Sequence, residues 1–433
     1  MRRRRLLRIF AVFVGAWILL CCANLFLFLS PPAPDTMTPY QPLDDVELQQ
    51  QRHKTASPHS GSTLSPGDEL SAGQSGWFHK ILRYVRGEEK IPSPYITKPM
   101  EFPPKSSLRN YLFGSVSKKT IFVFSRPPWM NVQAEDDFRA CAVKTCKLTS
   151  DYFALYKSAA VVVDVSHVPR NQYRPSFGKR PDQVWVALSQ EAPTHCCHSY
   201  SFPGWAGVFN FTMSYRLDSD IFFPVGMLIR KELPPRKNYV AIAARKTKMA
   251  AWFVSNCRTQ SKRELYVKEL QKHIDVDVFG QCGPYNCSKA ESERCRELLH
   301  TDYRFYLAFE NSFCLDYVTE KFFDTYNNTD VIPVVRGHAD YDRYFPPGTF
   351  INTADFSSPA DLATHLKALA SDAYRYAAIL ERKDRYETTY TLDQALCKLC
   401  EIVHSPELNS QDHHHTDIAE WFESDVCFDP EDV

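Results

Sequence analysis

Three stretches that are apolar but for Asp164, Ile121–Phe124, Ala159–Val165 and Val184–Leu188, leave this chain few folds to choose from. A strand with one wet face alternates apolar and polar residues. Unbroken apolar character marks strands covered on both faces, the condition of parallel sheets flanked by helices. A second series, Tyr239–Ala243, Ala250–Val254, Val276–Phe279, Phe305–Phe309 and Val331–Val335, repeats the pattern, with helices expected at Lys262–His273, Leu315–Asn327, Pro359–Ala370 and Ala373–Arg385. One hydrophobic core rarely grows so large. The expected fold is therefore α/β in two lobes, 109–235 and 236–400, with a ligand cleft between them and a tail at 401–433.

Ahead of these lobes the pattern changes. Residues 1–8 carry Arg2–Arg5 and Arg8, and 9–29 are almost entirely apolar. That length can cross the roughly 30 Å hydrocarbon layer as a helix. Arginines on its N-terminal flank favour a cytoplasmic tail at 1–8, and Ser30-Pro31-Pro32 offers no small-residue cleavage site. The expectation is an uncleaved, single-pass signal anchor of type II. Residues 30–108, rich in Pro, Ser and Gln, cannot bury much surface and read as a disordered stem, with one short amphipathic helix at Trp77–Val85.

Cysteine usage agrees with an oxidising lumen: all but Cys21 and Cys22 of the 14 cysteines lie beyond the anchor, and N-glycosylation sequons stand at Asn210, Asn286 and Asn327. Cys141 and Cys146 sit near one end of the folded part and Cys397 and Cys400 near the other, so disulfides among them would tie its ends together. Their connectivity cannot be read from spacing, and a structural zinc site is the alternative. The His413–His415 run reads as loop. A net charge of zero gives no case for nucleic acid, and neither a phosphate-binding P-loop nor G-x-G-x-x-G is present.

Chemistry concentrates between Arg304 and Lys321. A short apolar strand, Arg304–Phe309, ends at Glu310, Asn311 and Ser312, where open α/β sheets bind ligands. In the helix expected next, Leu315, Val318 and Phe322 form an apolar stripe while Tyr317, Glu320 and Lys321 share another face. Arg245, Lys246, Lys248 and Arg263 add positive charge suited to a diphosphate. Glu191 follows the buried strand of VWVALSQEAP, beside the expected cleft.

The segments SYRLDSDIFFPVG (214–226), ARKTKMAAWFVSNC (244–257), FYLAFENSFCLDYVTEKFF (305–323), VIPVVRG and YFPPGTFINTADF resemble the α1,3-fucosyltransferase family across roughly 111–400. The resemblance implies a GT-B architecture of two Rossmann-like lobes in a Golgi type II membrane enzyme. Such an enzyme transfers L-fucose from GDP-β-L-fucose, with inversion, to the 3-hydroxyl of GlcNAc in glycans of glycoproteins or glycolipids. It also implies that Tyr306, Glu310, Asn311, Tyr317, Glu320 and Lys321 hold the donor, with Glu320 on the ribose and Lys321 on a phosphate. Ser255, Asn256, Arg263 and Lys246 would serve the departing diphosphate, and Glu191 would be the general base, although Ala192 stands where many members have Ser. Tyr215 and Arg216 are expected near the cleft. No metal is required on this reading, manganese would at most stimulate turnover, and the anchor and stem allow a homodimer. The D-x-D triplets Asp218/Asp220, Asp275/Asp277 and Asp340/Asp342 are read as local structure. The alternatives are another inverting transferase that uses a GDP-sugar, or a silent lectin or chaperone on the same fold.

Overall fold

The computed structural model describes residues 93–97, 117–405 and 417–433, apart from 126, 128, 131–137, 170–171, 173–174, 197, 288–291 and 328. The expected anchor at 9–29, its cytoplasmic tail, the Trp77–Val85 helix, nearly all of the stem and the His413–His415 run lie outside these residues. Among those described, no helix is long and apolar enough to cross a membrane.

A short strand, β1 (Ile96–Thr97), precedes the first lobe. Strands β2 (Lys119–Val123), β3 (Cys146–Thr149), β4 (Ala160–Asp164), β5 (Val184–Ser189), β6 (Phe211–Ser214) and β7 (Ile221–Phe222) form an all-parallel sheet in the order β3-β2-β4-β5-β6-β7. Residues Ala160–Val163 and Val184–Val186 are essentially inaccessible, as unbroken apolar strands require. The chain leaves through β8 (Met227–Arg230). In the second lobe β9 (Lys248–Phe253), β10 (Val276–Phe279), β11 (Tyr303–Phe309), β12 (Ile332–Arg336) and β13 (Ile351–Asn352) are again all parallel, in the order β10-β9-β11-β12-β13. Finally β14 (Tyr386–Thr389) pairs antiparallel with β8, whose parallel partner is β1, giving a third, three-stranded sheet.

Two expected elements differ. Tyr239–Ala243 is not a strand but the start of helix α1 (Tyr239–Arg245), capped by Asn238, whose side chain accepts from the Ala241 amide. A short apolar run fits a buried helix as well as a strand, and the Asn cap was the deciding signal. The long helix at Leu315–Asn327 is also not formed. Residues 311–319 are irregular, α4 covers only Glu320–Phe323, and a 3₁₀ turn follows at Asp324–Tyr326. Its start is displaced because Asp316 adopts left-handed backbone (φ 58°) and Cys314 is bonded to Cys427, with the Leu315 amide donating to the Val426 carbonyl. The remaining helices fall close to expectation: α2 (Arg263–Leu270), α5 (Pro359–Ala370) and α6 (Ala373–Lys383), with α3 (Ser292–Thr301) in addition.

Sequence order would put residues 392–400 with the second lobe, yet helix α7 (Leu392–His404) returns to the first. Its Leu396, Leu399 and Val403 join Ile121, Val123 and Val186 in one core. Disulfides Cys141–Cys397 and Cys146–Cys400 fasten it there. Because Cys146 and Cys400 are bonded to each other, the grouping of Cys146, Cys400 and His404 offers no thiolate pair to a metal. Further bonds join Cys257–Cys282, Cys287–Cys295 and Cys314–Cys427.

The segment 417–433 is part of the same folded unit. Helix α8 (Ile418–Glu423) buries Ile418 and Phe422 beside Tyr200 and Trp205 of the first lobe, while Asp432 pairs with fully buried Arg336 of the second. Among the sequons, Asn286 is exposed, whereas the side-chain oxygens of Asn210 and Asn327 accept from the Trp185 and Thr388 amides. The acidic triplets serve local structure: Asp218 pairs with Arg216, Asp220 holds Thr212, Asp277 pairs with Lys248, and Asp340 caps the turn at Arg343.

His365 on α5 is 6% exposed and packs on Phe356, and burial lowers its pKa to about 4. The unfolded chain gains that proton near the ordinary imidazole value of 6.5 and the folded chain only near 4, so stability falls as pH drops through this window. Comparing denaturant midpoints at pH 7 and pH 5, His365→Gln should lose about 2 kcal/mol less than the parent on acidification.

Candidate active site

Strand order determines where a ligand can enter. In the second lobe the order reverses between β9 and β11, and a crevice opens at such a switch point, beyond the carboxyl ends of the strands. The segment after β9 is Val254-Ser255-Asn256 and that after β11 is Glu310-Asn311-Ser312. A cavity of about 410 Å³ occupies this place, lined by Ser255, Asn256, Arg263, Tyr306, Glu320 and Lys321 among the expected residues.

On its wall Phe253 meets Phe279 and Tyr306 edge-on, with ring centroids 5.1 and 5.4 Å apart, a setting suited to a flat ring. Gly280 belongs to this wall (φ +98°), where a Cβ would stand 2.4 Å from the Val254 carbonyl oxygen. Arg296 and Asp324 line the cavity too. The sequence reading missed Phe253, Phe279, Arg296 and Asp324. The two aromatics were signalled only by large rings at the last residues of buried strands, and the other two by nothing local.

Arg263, only 3% exposed, donates from Nη1 to the Phe309 carbonyl at 2.8 Å, while its Nε has no partner. Burial lowers its pKa, but a guanidinium keeps its proton in the accessible range. A buried cation with an unspent donor on a cavity wall calls for an anion. Lys321 is the second cation. Burial opposes its charge, but Glu310 at 3.3 Å and Glu320 at 3.0 Å outweigh this and its pKa rises.

Glu310 does not line the cavity. It is fully buried, and its carboxylate accepts from the amide and hydroxyl of Thr319, so it supports Lys321 from behind. Asn311 also lies off the wall, buried, with Oδ1 unpartnered. Lys246 does not reach the cavity either. Its ammonium donates to the Leu299, His300 and Tyr303 carbonyls, because the turn after α1 directs it under α3. Arg245 is exposed and Lys248 pairs with Asp277, so neither joins Lys321.

Tyr317 faces the other way from Lys321, since no long helix holds them on one face. Its phenol donates to Glu191 Oε2 at 3.2 Å across the lobes. Burial and then the Glu191 charge push the Tyr317 pKa far up, which keeps the phenol a donor. Glu191 is exposed, in the turn after β5, where its carbonyl accepts from the Ser189 hydroxyl. The same turn touches the second lobe twice more, Thr194 to Ser312 at 2.6 Å and His195 to Asn256 at 3.2 Å. Tyr215 packs edge-on against Tyr317 at 5.0 Å, and Arg216 is covered by Trp421, 4.3 Å from its ring centre.

Two family models match the chain: the N-terminal fucosyltransferase model over residues 116–226, and that of glycosyltransferase family 10 (fucosyltransferase), C-terminal part, over 243–421. The bovine 3-galactosyl-N-acetylglucosaminide 4-alpha-L-fucosyltransferase FUT3 is 37% identical over 64% of this chain and 74% of its own length. The chain belongs to glycosyltransferase family 10. It is also 39% identical to alpha-(1,3)-fucosyltransferase C of Drosophila melanogaster over 56% of this chain, a match spanning 60% of that relative. A solved alpha1,3-fucosyltransferase with GDP-fucose aligns at 16% identity with a TM-score of 0.45, over 71% of this chain and 95% of the other.

The cavity and the carbonyl cage separate two lysines that look alike in sequence. With GDP as a diphosphate probe, Lys321→Ala should weaken binding at least tenfold by calorimetry, because it removes a cation from the cavity wall. Lys246→Met should leave GDP affinity unchanged in the folded fraction and lower the melting temperature, because it strands three buried carbonyls.

Proposed function

We propose that this chain transfers L-fucose from GDP-β-L-fucose to the 3-hydroxyl of a GlcNAc residue on glycoprotein or glycolipid glycans, with inversion, across a GT-B cleft. The observation that carries this reading is buried Arg263, with Lys321, on the wall of a cavity that aromatic rings also line. Family membership supplies the reaction class. The N-acetylglucosaminide in the bovine relative's name and the 1,3 linkage in the fly relative's name support the acceptor and its position.

In this mechanism the base occupies the rim of Phe253, Phe279 and Tyr306, and the diphosphate meets Arg263 and Lys321. As the bond to fucose breaks, negative charge grows on GDP and these fixed cations stabilise it more than they stabilise the intact donor. Glu191, exposed toward solvent and held by Tyr317, takes the proton of the acceptor hydroxyl as that oxygen attacks the anomeric carbon opposite GDP. Attack from the far face inverts β to α. No step requires a metal.

A Golgi membrane location in type II topology is part of the proposal. Its support is the apolar run 9–29 behind Arg2–Arg5, together with five disulfides among the described residues.

Glu191→Gln tests the base. Transfer from GDP-fucose to N-acetyllactosamine or a paucimannose glycopeptide should fall about a hundredfold or more, with the dissociation constant for GDP-fucose near that of the parent. Full activity in this variant would remove Glu191 from the mechanism.

A further inference from the structure

Where segment 417–433 crosses the second lobe it builds a feature that the donor cavity does not use. Phe428 packs against His338 with ring centres 4.4 Å apart and planes tilted by 33°, and His338 lies 6.1 Å from the ring of Phe313. His338 is exposed, and Phe428 keeps 38% of its surface in water. None of the three lines the cavity.

This arrangement is held from several sides. The Phe428 amide donates to the Phe313 carbonyl at 2.8 Å, and Gln260 clamps both backbones, accepting from the Phe313 amide and donating to the Phe428 carbonyl. The Cys314–Cys427 bond joins the neighbouring positions. Beneath, the Arg336 guanidinium lies 4.6 Å from the Phe313 ring centre and is itself paired with Asp432. So many contacts hold the outer aromatic faces in place before anything binds, which lowers the ordering cost of a ligand laid on them.

Position and chemistry identify the occupant. Phe313 follows Ser312, whose hydroxyl is 2.6 Å from Thr194 in the turn that carries Glu191, and His338 follows the carboxyl end of β12. Phe313 thus stands next in the chain to a residue that touches the Glu191 turn, and the ledge is apart from the cavity of the second lobe. Flat aromatic faces without free charge suit the C–H face of a pyranose ring. We propose that Phe313, His338 and Phe428 form a subsite for a sugar of the acceptor glycan beyond the one that receives fucose. This rests on the transferase reading above, and its test is built to fail separately.

Saturation-transfer NMR on the full-length protein, with N-acetyllactosamine and a paucimannose glycopeptide as probes and GDP present, reads the subsite without turnover. The parent protein should contact at least one probe. Phe428→Ala and, independently, His338→Ala should weaken that contact about fivefold, the size of one aromatic stacking interaction, and Phe428→Trp should restore it. In turnover the same variants should raise the KM for acceptor while leaving the KM for GDP-fucose and donor hydrolysis unchanged. Glycan contact in both alanine variants equal to the parent's, or none in the parent, overturns the proposal. Conversion of a dimer to a monomer by Phe428→Ala with glycan contact intact overturns it too, and would make the ledge a chain-to-chain interface. Failure of the parent to turn over GDP-fucose while these contacts behave as expected would instead count against the transferase reading.

Discussion

One carboxylate with no access to water organises the most informative part of this chain. Glu310, at the end of β11, binds the Thr319 amide and hydroxyl and stands 3.3 Å from Lys321. Burial raises its pKa, and a charge there is tolerable only because those donors and that cation surround it. By closing the loop 310–321 onto itself, Glu310 makes two directions out of one segment. Lys321 reaches the cavity wall, and Tyr317 reaches Glu191 on the opposite lobe. Lys321 on the cavity wall and Tyr317 at the Glu191 carboxylate are thus referred to the same buried point.

The lobes are joined by more than a hinge. The turn around Glu191 makes three hydrogen bonds to the second lobe, α7 returns to complete the first core, and 417–433 buries side chains in both. Fully buried Arg336 shows the strength of this dependence: without Asp432 it would be a charge with no ionic partner inside the second lobe, a loss that costs about 3 kcal/mol or more. The segment is therefore a structural part of the second lobe as well as the builder of the aromatic ledge.

Much of the architecture was legible because it is local. Buried parallel strands announce themselves by unbroken apolar runs, and β2, β4, β5, β10 and β11 lie close to where Ile121, Ala160, Val184, Val276 and Phe305 suggested. The misread elements are those decided by partners far away in the chain. Nothing between Leu315 and Asn327 announces that Cys314 will bond Cys427 and that Asp316 will turn left-handed, so helical spacing looked sufficient. Lys246 and Lys321 are both lysines near matched motifs, and only the carbonyl cage around the first tells them apart. Phe253 and Phe279 were visible as strand residues, but their role at the cavity depends on the order of strands in the sheet, which no window of sequence contains.

The return of α7 also has a consequence in time. Cys141 and Cys397 are separated by 256 positions, and one face of the first sheet is covered by Leu396, Leu399 and Val403. At synthesis rates of about 5–20 residues per second, the strands of the first lobe wait roughly ten to fifty seconds for their covering helix. Throughout that interval Cys141 and Cys146 are without their native partners and with each other close in sequence. Correct pairing then waits until the second lobe has been made, so the order of synthesis and the order of completion run in opposite directions along this chain.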